Sequence, residues 1–432
     1  MANKNKLSLI ICAHDGISSL YAGVGTAVNG YFRAVENIQK ELSGKYEVKV
    51  WGITPKYAES NYGFNTNQLK KVTDICKKTG GEVLTCLNYS DGFNQYGNMD
   101  NWLTASASAA TIAYDVMKND RPTDVIVVGV DTPFALTPAI LNQQMDLNLN
   151  YYGVWMPHST SLIHERGSYD VERIKFETKA IKIANNIENL FTGYLNSYMR
   201  RHLSFDYGAS EESLTPILNG IVVDEVKLYS QKEIEEVIRA KGISLDKPIV
   251  FSFGRGVPYK GFDIFMKAAK RLEDLPYHFV VQAAPYTTQD PIVKELNLLK
   301  SKNITLLFGL DFVFPRQLMQ WNKTELVAVL SKYEPGAFIP AEIRVYGKPI
   351  ALVSNIDGLP CQVNDGVDGF ITSLELEEVE KNMRKILMLP EEEKQKIAKK
   401  GRKLVLNDYN MVTNFTNAIK RILLNERDQK NN

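Results

Sequence analysis

The stretch KYEPGAFIPAEIRVYGKPIALVSNIDGLPCQVNDGVDGF, from Lys332 to Phe370, is the most informative in this chain. Two glutamates, Glu334 and Glu342, stand eight positions apart in it. A turn of Gly336, Ala337 and Phe338 lies between them and opens into a helix, and a short apolar strand follows at Pro349 to Val353. Carboxylates accept hydrogen bonds from hydroxyls, and free amides at a helix start bind anions. A segment with both suits a ligand that carries hydroxyls and phosphate together, with the hydroxyls on the acids and the phosphate on the amides.

The same alternation of short apolar run and longer helical pattern extends in both directions. Towards the N-terminus the runs are LSLIICA (Leu7 to Ala13), VKVWGI (Val48 to Ile53), TDVIVVGV (Thr123 to Val130), YYGVWMPH (Tyr151 to His158), LFTG (Leu190 to Gly193) and TPILNGI (Thr215 to Ile221). A helix is expected from about Ala27 to Leu42. A second series holds KPIVFSFGR (Lys247 to Arg255), HFVVQAAP (His278 to Pro285), ITLLFG (Ile304 to Gly309), LVAVLS (Leu326 to Ser331) and KPIALV (Lys348 to Val353). Strands apolar on both faces imply parallel sheets covered by helices, and the alternation implies an α/β doubly wound fold. The charged, strand-free stretch from Val223 to Lys247 separates the two series. The expected domains are therefore residues 1–224, residues 225–408, and a C-terminal helix in 409–432 that packs back towards the first domain. Ligands of doubly wound sheets bind outside the carboxyl ends of the strands. Gly23 and Gly25, Asp131, His158, Asn219-Gly220, Arg255 and Glu334 all fall at such ends, and two domains facing each other would make a deep cleft.

Composition narrows the function classes. The 432 residues are 44% hydrophobic and 23% charged, which fits a globular protein with a large core. A net charge of +1 offers no global argument for nucleic acid as a partner. Cys12, Cys76, Cys86 and Cys361 form no C-x-x-C pair, so neither a metal site nor a disulfide framework is expected. No run of about 18 apolar residues is present, so no membrane span is expected, and peripheral membrane contact stays open. The apolar run after Lys6 is short and ends at His14-Asp15, which reads as a first strand instead of a signal peptide and gives a cytoplasmic expectation. The lysine-rich EEEKQKIAKKGRK (Glu391 to Lys403) reads as a solvated helix face. The loop from Ser60 to Asp100, rich in Asn, Gly and Tyr as in NYSDGFNQYGNMDNW, is either a sugar-contacting loop or a long polar surface excursion.

In FSFGRGVPYKGFDIFMKA (Phe251 to Ala268), Arg255 and Lys260 lie between a strand and a helix beginning near Gly261. A guanidinium fork and an ammonium point charge together suit a diphosphate, and the neighbouring glycines let backbone approach closely. The plain alternative is two surface cations in a turn. Gly23-Val24-Gly25-Thr26 presents amides that suit a phosphate or a sugar, or is an ordinary glycine turn. It fails as a dinucleotide fingerprint, because the third glycine would stand where Val28 is. His158 and His14 end strands and are candidates for a cleft role, with structural burial as the alternative. No H-E-x-x-H or G-x-S-x-G motif occurs, which counts against a zinc hydrolase or an acyl-transfer triad. Glu334 and Glu342 as a glycosidase pair would have to flank a bond at about 5–10 Å. Glycines and amides suited to phosphate are not needed by such an enzyme. Glu342 also has a plain reading as a first-turn helix acid.

Read together, these segments resemble the retaining glycosyltransferases of family 4, which have the GT-B fold of two Rossmann-like domains facing a cleft. The resemblance is carried by Gly254-Arg255 with Lys260-Gly261, by Glu334-Pro335 with Glu342, and by the tail Gly347-Lys-Pro349, Asp357-Gly358-Leu-Pro and Asp365-Gly366-Val-Asp-Gly369. Gly23-Val-Gly25, His158 and Asn219-Gly220-Ile221 match more loosely. The resemblance implies a sugar transferred from a nucleoside-diphosphate donor to an unknown hydroxyl acceptor, with no cofactor and no metal. By it, Arg255 and Lys260 hold the diphosphate, Glu342 takes the ribose hydroxyls and Glu334 contacts the donor sugar. Amides of Gly336, Ala337 and Phe338 cap the phosphate, with Gly23 and Gly25 also on the donor side. His158 lies near the reacting centre. Separately from the resemblance, His14, Asp131 and the loop from Ser18 to Tyr21 are candidates for the acceptor's neighbourhood. Three departures stand out: Gly336 comes one position early, Val281 to Pro285 lacks the family's glycines, and Gln362-Val363 follows Cys361 where the pattern has a carboxylate. A phosphorylase, an epimerase or a cyclitol-joining enzyme on the same fold stays open, as does a non-catalytic scaffold.

Overall fold

The computed structural model describes residues 4–57, 59, 63–87 and 98–424. It divides into two compact units, one running to Val222 and resuming at Asn410, the other spanning Val223–Tyr409. The first holds a parallel sheet of seven strands: β1 (Asn5–Cys12), β2 (Tyr46–Pro55), β3 (Val83–Cys86), β4 (Asp124–Val130), β5 (Asn150–Met156), β6 (Leu190–Tyr194) and β7 (Leu214–Pro216). Their spatial order is β3-β2-β1-β4-β5-β6-β7. The second unit holds six parallel strands: β8 (Ile249–Arg255), β9 (His278–Ala284), β10 (Ile304–Phe308), β11 (Thr324–Val329), β12 (Ile350–Ser354) and β13 (Phe370–Thr372). Their order is β10-β9-β8-β11-β12-β13. Both sheets reverse direction beside their first strand, so each has a topological switch point, between β1 and β4 and between β8 and β11.

Burial of the central strands accounts for this architecture. Every residue of β4, DVIVVGV, is buried, and Ile10 and Val127 face each other in register across β1 and β4. Helices cover both faces. One layer of the second unit packs Phe262, Phe265 and Met266 of the helix Phe262–Arg271 against Phe279 and Val281 of β9. The opposite layer sets Phe314 and Trp321 against Phe251 and Val327.

Several local expectations change. The helix expected over residues 27–42 is two, Gly23–Arg33 and Val35–Leu42, interrupted at Ala34. The run TPILNGI contributes only β7, which stops at Pro216, a residue with no N–H for the ladder. Two further strands, β3 and β13, lie near the sheet ends, where VLTC and FIT need not be apolar on both faces. The segment from Glu391 forms a mostly exposed helix, Glu391–Asp408, yet Lys394 in it is buried and pairs with Glu325, which corrects the solvated-face reading at that position. The stretch from Ser60 to Asp100, expected as one loop, instead holds the helix Thr66–Lys78 and β3, and the helix Met99–Asp120 begins within it; residues 60–62 and 88–97 of it lie outside the described residues.

The last helix, Met411–Leu423, belongs to the first unit. Phe415 stacks on Tyr31 at 4.2 Å between ring centroids, and the Asn37 side-chain amide donates to Thr416 at 3.0 Å. Met411 Cγ stands 2.3 Å from where a Cβ on Gly30 would be, so only glycine admits that side chain.

Candidate functional site

In the second unit the site is built at the switch point between β8 and β11. β8 ends at Arg255, and a short loop carries the chain through Tyr259 and Lys260 to Gly261. Gly261 has φ +69°, and a Cβ there would come within 1.9 Å of the Leu330 carbonyl oxygen. Glycine is therefore required on both counts, and its packing on the chain just after β11 brings Lys260 to the Glu334 segment. Lys260 Nζ and Glu334 Oε2 stand 2.5 Å apart, each side chain about one-eighth exposed. The Lys332 N–H donates to the Tyr259 carbonyl at 2.7 Å, and the Tyr259 and Tyr333 rings stack at 4.2 Å.

Arg255 is held over the same loop. Its guanidinium donates to the Tyr259 hydroxyl and to the Tyr286 hydroxyl, the latter at 3.4 Å. Burial works against its charge, but Tyr259, Tyr286 and Glu334 more than offset that, so its pKa lies above the ordinary arginine value. Two cations and one carboxylate thus converge at the carboxyl ends of β8 and β11.

Gly336, Ala337 and Phe338 are partly exposed and lead into the helix Ile339–Val345. The Ala337 carbonyl accepts from the Gln362 side-chain amide at 3.0 Å. Glu342 lies in the first turn of that helix and faces Arg316 at 3.5 Å, a pairing the sequence reading does not contain.

In the first unit the candidates gather at the other switch point. His14 and Asp15 follow β1, Asp131 follows β4 and His158 follows β5; all four are buried. Burial holds His14 and His158 neutral, each with its pKa lowered to about 4, against the opposing pull of the Asp131 charge. His158 Nε2 and the Tyr31 hydroxyl share a hydrogen bond of 3.2 Å. Asp131 has φ +63° and ψ −176°, and is tied down by its N–H to the Met156 carbonyl and by its own carbonyl to Trp155 Nε1.

The glycine loop departs from its expected use. The Asp15 carboxylate accepts from the N–H groups of Gly16, Ala22 and Gly25, each at 3.0 Å, and from the Ser19 hydroxyl at 3.1 Å. The start of the helix Gly23–Arg33 is thus capped by an anion of the chain itself. A Cβ on Gly25 would lie 2.5 Å from Asp15 Oδ2, so the glycine serves the close approach of this carboxylate. The Gly25 amide, expected to face a donor, is engaged internally.

Behind Asp131 and His158 lies a buried network that no sequence motif announces. Glu177 accepts from Thr132 at 2.9 Å, from the Ser161 N–H at 3.1 Å, from Tyr207 at 2.7 Å and from Arg173 at 2.8 Å. Thr160 and His202 hydrogen-bond at 2.7 Å, and His202 reaches Asp206 at 2.6 Å. These bonds fix the two loops that present Asp131 and His158. The network spans the separate helices Val171–Asn186 and Ser197–Tyr207, which is why local spacing does not reveal it.

Residues 233–404 match the family Glycosyl transferases group 1. That match lies within the second unit. Glycogen synthase of Thermodesulfovibrio yellowstonii is 24% identical over 258 residues, covering 52% of this chain and 51% of that protein, so the match spans about half the relative's length. Among solved structures, sucrose-phosphate synthase from Thermosynechococcus elongatus superposes with a TM-score of 0.71 at 13% identity, over 98% of this chain and 100% of that one. The glycosyltransferase from Rickettsia africae ESF-5 gives 0.68 at 13% identity over 99% and 100%. Anabaena HepE, solved in complex with UDP and glucose, gives 0.65 at 16% identity over 96% and 99%. At these identities the likeness establishes the fold, which is GT-B.

Among the described residues, no group of three or more His, Cys, Asp or Glu side chains is placed to hold a metal ion. No described helix is long and apolar enough to cross a membrane.

Proposed function

We propose that this chain is a retaining glycosyltransferase that moves a sugar from a nucleoside-diphosphate donor to a hydroxyl acceptor. The observation that carries the reading is the convergence of Arg255, Lys260 and Glu334 at one switch point, inside the domain that matches the glycosyltransferase family. A diphosphate leaving group gains negative charge as the glycosidic bond breaks. Two cations fixed beforehand favour that charge without reorganising during the reaction. Glu334, released from Lys260 as the diphosphate engages the lysine, accepts from hydroxyls of the donor sugar. Glu342 accepts from the ribose hydroxyls, and the amides of the segment from Gly336 to Phe338 add donors to the phosphate.

The acceptor belongs to the first unit in this reading. His158, kept neutral, offers a hydrogen bond beside the anomeric carbon without adding a charge. His14 and Asp131 flank it at the neighbouring strand ends. The leaving phosphate itself takes the acceptor proton in this reading, so the protein supplies position and field. Gly25 is left out of the donor contacts, because Asp15 occupies its amide.

The test is incubation with UDP-, ADP-, GDP- and TDP-glucose and a panel of sugar acceptors, following nucleoside diphosphate release and the product anomer by NMR. Release of a nucleoside monophosphate, formation of a sugar 1-phosphate, or an inverted anomer would each overturn the reading.

A further inference from the structure

Glu334 is the residue on which donor recognition turns, and a single turn grips its backbone from both sides. The Glu334 N–H donates to Oδ2 of Asp357 at 2.9 Å. The Glu334 carbonyl accepts from the Gly358 N–H at 2.9 Å. Both polar groups of one residue are thus held by two consecutive residues that lie 23 and 24 positions further along the chain.

The turn that does this is strained. Asp357 has φ +50°, a left-handed backbone that costs an L side chain about 1–2 kcal/mol and glycine nothing. Asp and Asn tolerate it best among side-chain-bearing residues. Glycine would be the unstrained choice, but it has no carboxylate to receive the Glu334 amide. The strained aspartate gives the Glu334 amide an acceptor that glycine could not supply.

Geometry gives the bond a consequence. Glu334 precedes Pro335, whose ring already confines it to extended backbone. Fixing the peptide planes on both sides as well leaves the Cα–Cβ direction little freedom. That direction carries the carboxylate to Lys260, at 2.5 Å.

We propose that Asp357 is a positioning residue that aims the Glu334 carboxylate at the donor sugar, an inference that rests on the donor reading above. It touches no substrate itself and acts through the Glu334 backbone.

The experiment compares Asp357→Gly, Asp357→Asn and Glu334→Gln with the wild-type chain. The probes are UDP-glucose with UDP, and ADP-glucose with ADP, titrated by calorimetry. In Asp357→Gly the affinity for the sugar nucleotide, taken relative to its bare diphosphate, should fall roughly tenfold. Affinity for the diphosphate should stay within about twofold, and the thermal midpoint should hold or rise because glycine relieves the strain. Asp357→Asn keeps a carbonyl oxygen for the amide and should stay within about threefold of wild type. If Glu334→Gln loses the sugar's contribution while Asp357→Gly keeps it, the positioning role is wrong and the donor reading stands. If Asp357→Gly weakens both probes equally and unfolds earlier, the residue is merely structural and the proposal falls. If Glu334→Gln changes nothing, or neither probe pair binds the wild-type chain, the donor reading fails and takes this inference with it.

Discussion

Replacing Asp15 tests whether the glycine loop is built around an internal anion. The carboxylate is fully buried and receives the N–H groups of Gly16, Ala22 and Gly25, a further backbone hydrogen bond from Tyr21, and the Ser19 hydroxyl. Burial pushes its pKa up to about 6, against the pull of the Ala22, Ser19, Tyr21 and Gly16 hydrogen bonds, so it is ionised at pH 7.5. In Asp15→Ala the amides of Gly16, Ala22 and Gly25 lose their acceptor, while Ser19 keeps the His14 carbonyl at 3.1 Å. A buried N–H left unpaired costs about 1–3 kcal/mol. Removing the buried charge returns about 3 kcal/mol, the equivalent of the upward pKa shift. The net expectation is a loss of about 3 kcal/mol, or roughly 6–12 °C in the melting temperature of a unit this size.

Asp15→Asn behaves differently. Its carbonyl oxygen can serve Ala22 and Gly25, and Ser19 can turn to accept from the new amide, so the main N–H stranded is that of Gly16. That orphan and the relief of charge nearly cancel, which places the variant within about 1 kcal/mol of wild type. Sodium formate supplies the missing group to Asp15→Ala. At a free concentration ten times the dissociation constant, it should restore about 1.4 kcal/mol by mass action, and chloride at equal ionic strength should not. Thermal and urea unfolding at pH 7.5 read all three. An alanine variant within about 1 kcal/mol of wild type, or an asparagine variant as unstable as the alanine one, would refute the reasoning.

Arg255→Ala and Lys260→Met should each lower kcat for donor turnover by about 10²–10³-fold, measured as nucleoside diphosphate release; values within fivefold of wild type would make them ordinary surface cations. Both His14 and His158 titrate near 6.5 when unfolded and near 4 when folded, so the folded state forgoes protons in that window and stability falls as pH drops through it. The loss is up to about 3 kcal/mol per histidine. Asp15, with its pKa raised, contributes with the opposite sign, its share being lost as pH rises through about 6, so urea midpoints of His158→Gln in an Asp15→Asn background isolate the histidine slope. Asp131→Gly should raise stability by about 1 kcal/mol by relieving a backbone conformation that only glycine adopts freely, while lowering transfer to the acceptor; a destabilised variant would show that the strain is already compensated locally.

The sheet was legible because its inner strands are buried on both faces. A run such as TDVIVVGV, once helices flank it, fits the middle of a parallel sheet and little else, and its end marks the ligand side without further information. β3 and β13 escaped because a short strand near a sheet's end needs no apolar run. In the candidate site, the positions of Arg255, Lys260, Glu334 and Glu342 at strand ends or a helix start were legible from local spacing. Their pairings were not. Lys260 meets Glu334 across 74 positions, and Glu342 meets Arg316 from a different helix. Lys394 looked like one of many surface lysines because nothing nearby in the sequence names Glu325 as its partner. Asp15 is the most instructive miss. It stands ten positions before Gly25, and the sequence offers amides at the loop without showing that an anion of the chain already fills them.

Backbone strain supplies what spacing cannot. Among the described residues other than glycine, Arg121, Asp131 and Asp357 have positive φ. Arg121 ends the helix Met99–Asp120 in the left-handed conformation, a common way to close a helix. Neither aspartate closes a helix in this way. One sits at the carboxyl end of β4 and the other just beyond β12, on the side of each sheet where a doubly wound fold binds its ligands. Strain of this kind persists only where surrounding bonds over-determine the backbone, and those bonds are present: Met156 and Trp155 hold Asp131, and the Glu334 segment holds Asp357. In each case glycine would relieve the backbone and forfeit a carboxylate. Both strained positions therefore keep a carboxylate at the ligand-binding end of their sheet where a glycine would be easier for the backbone.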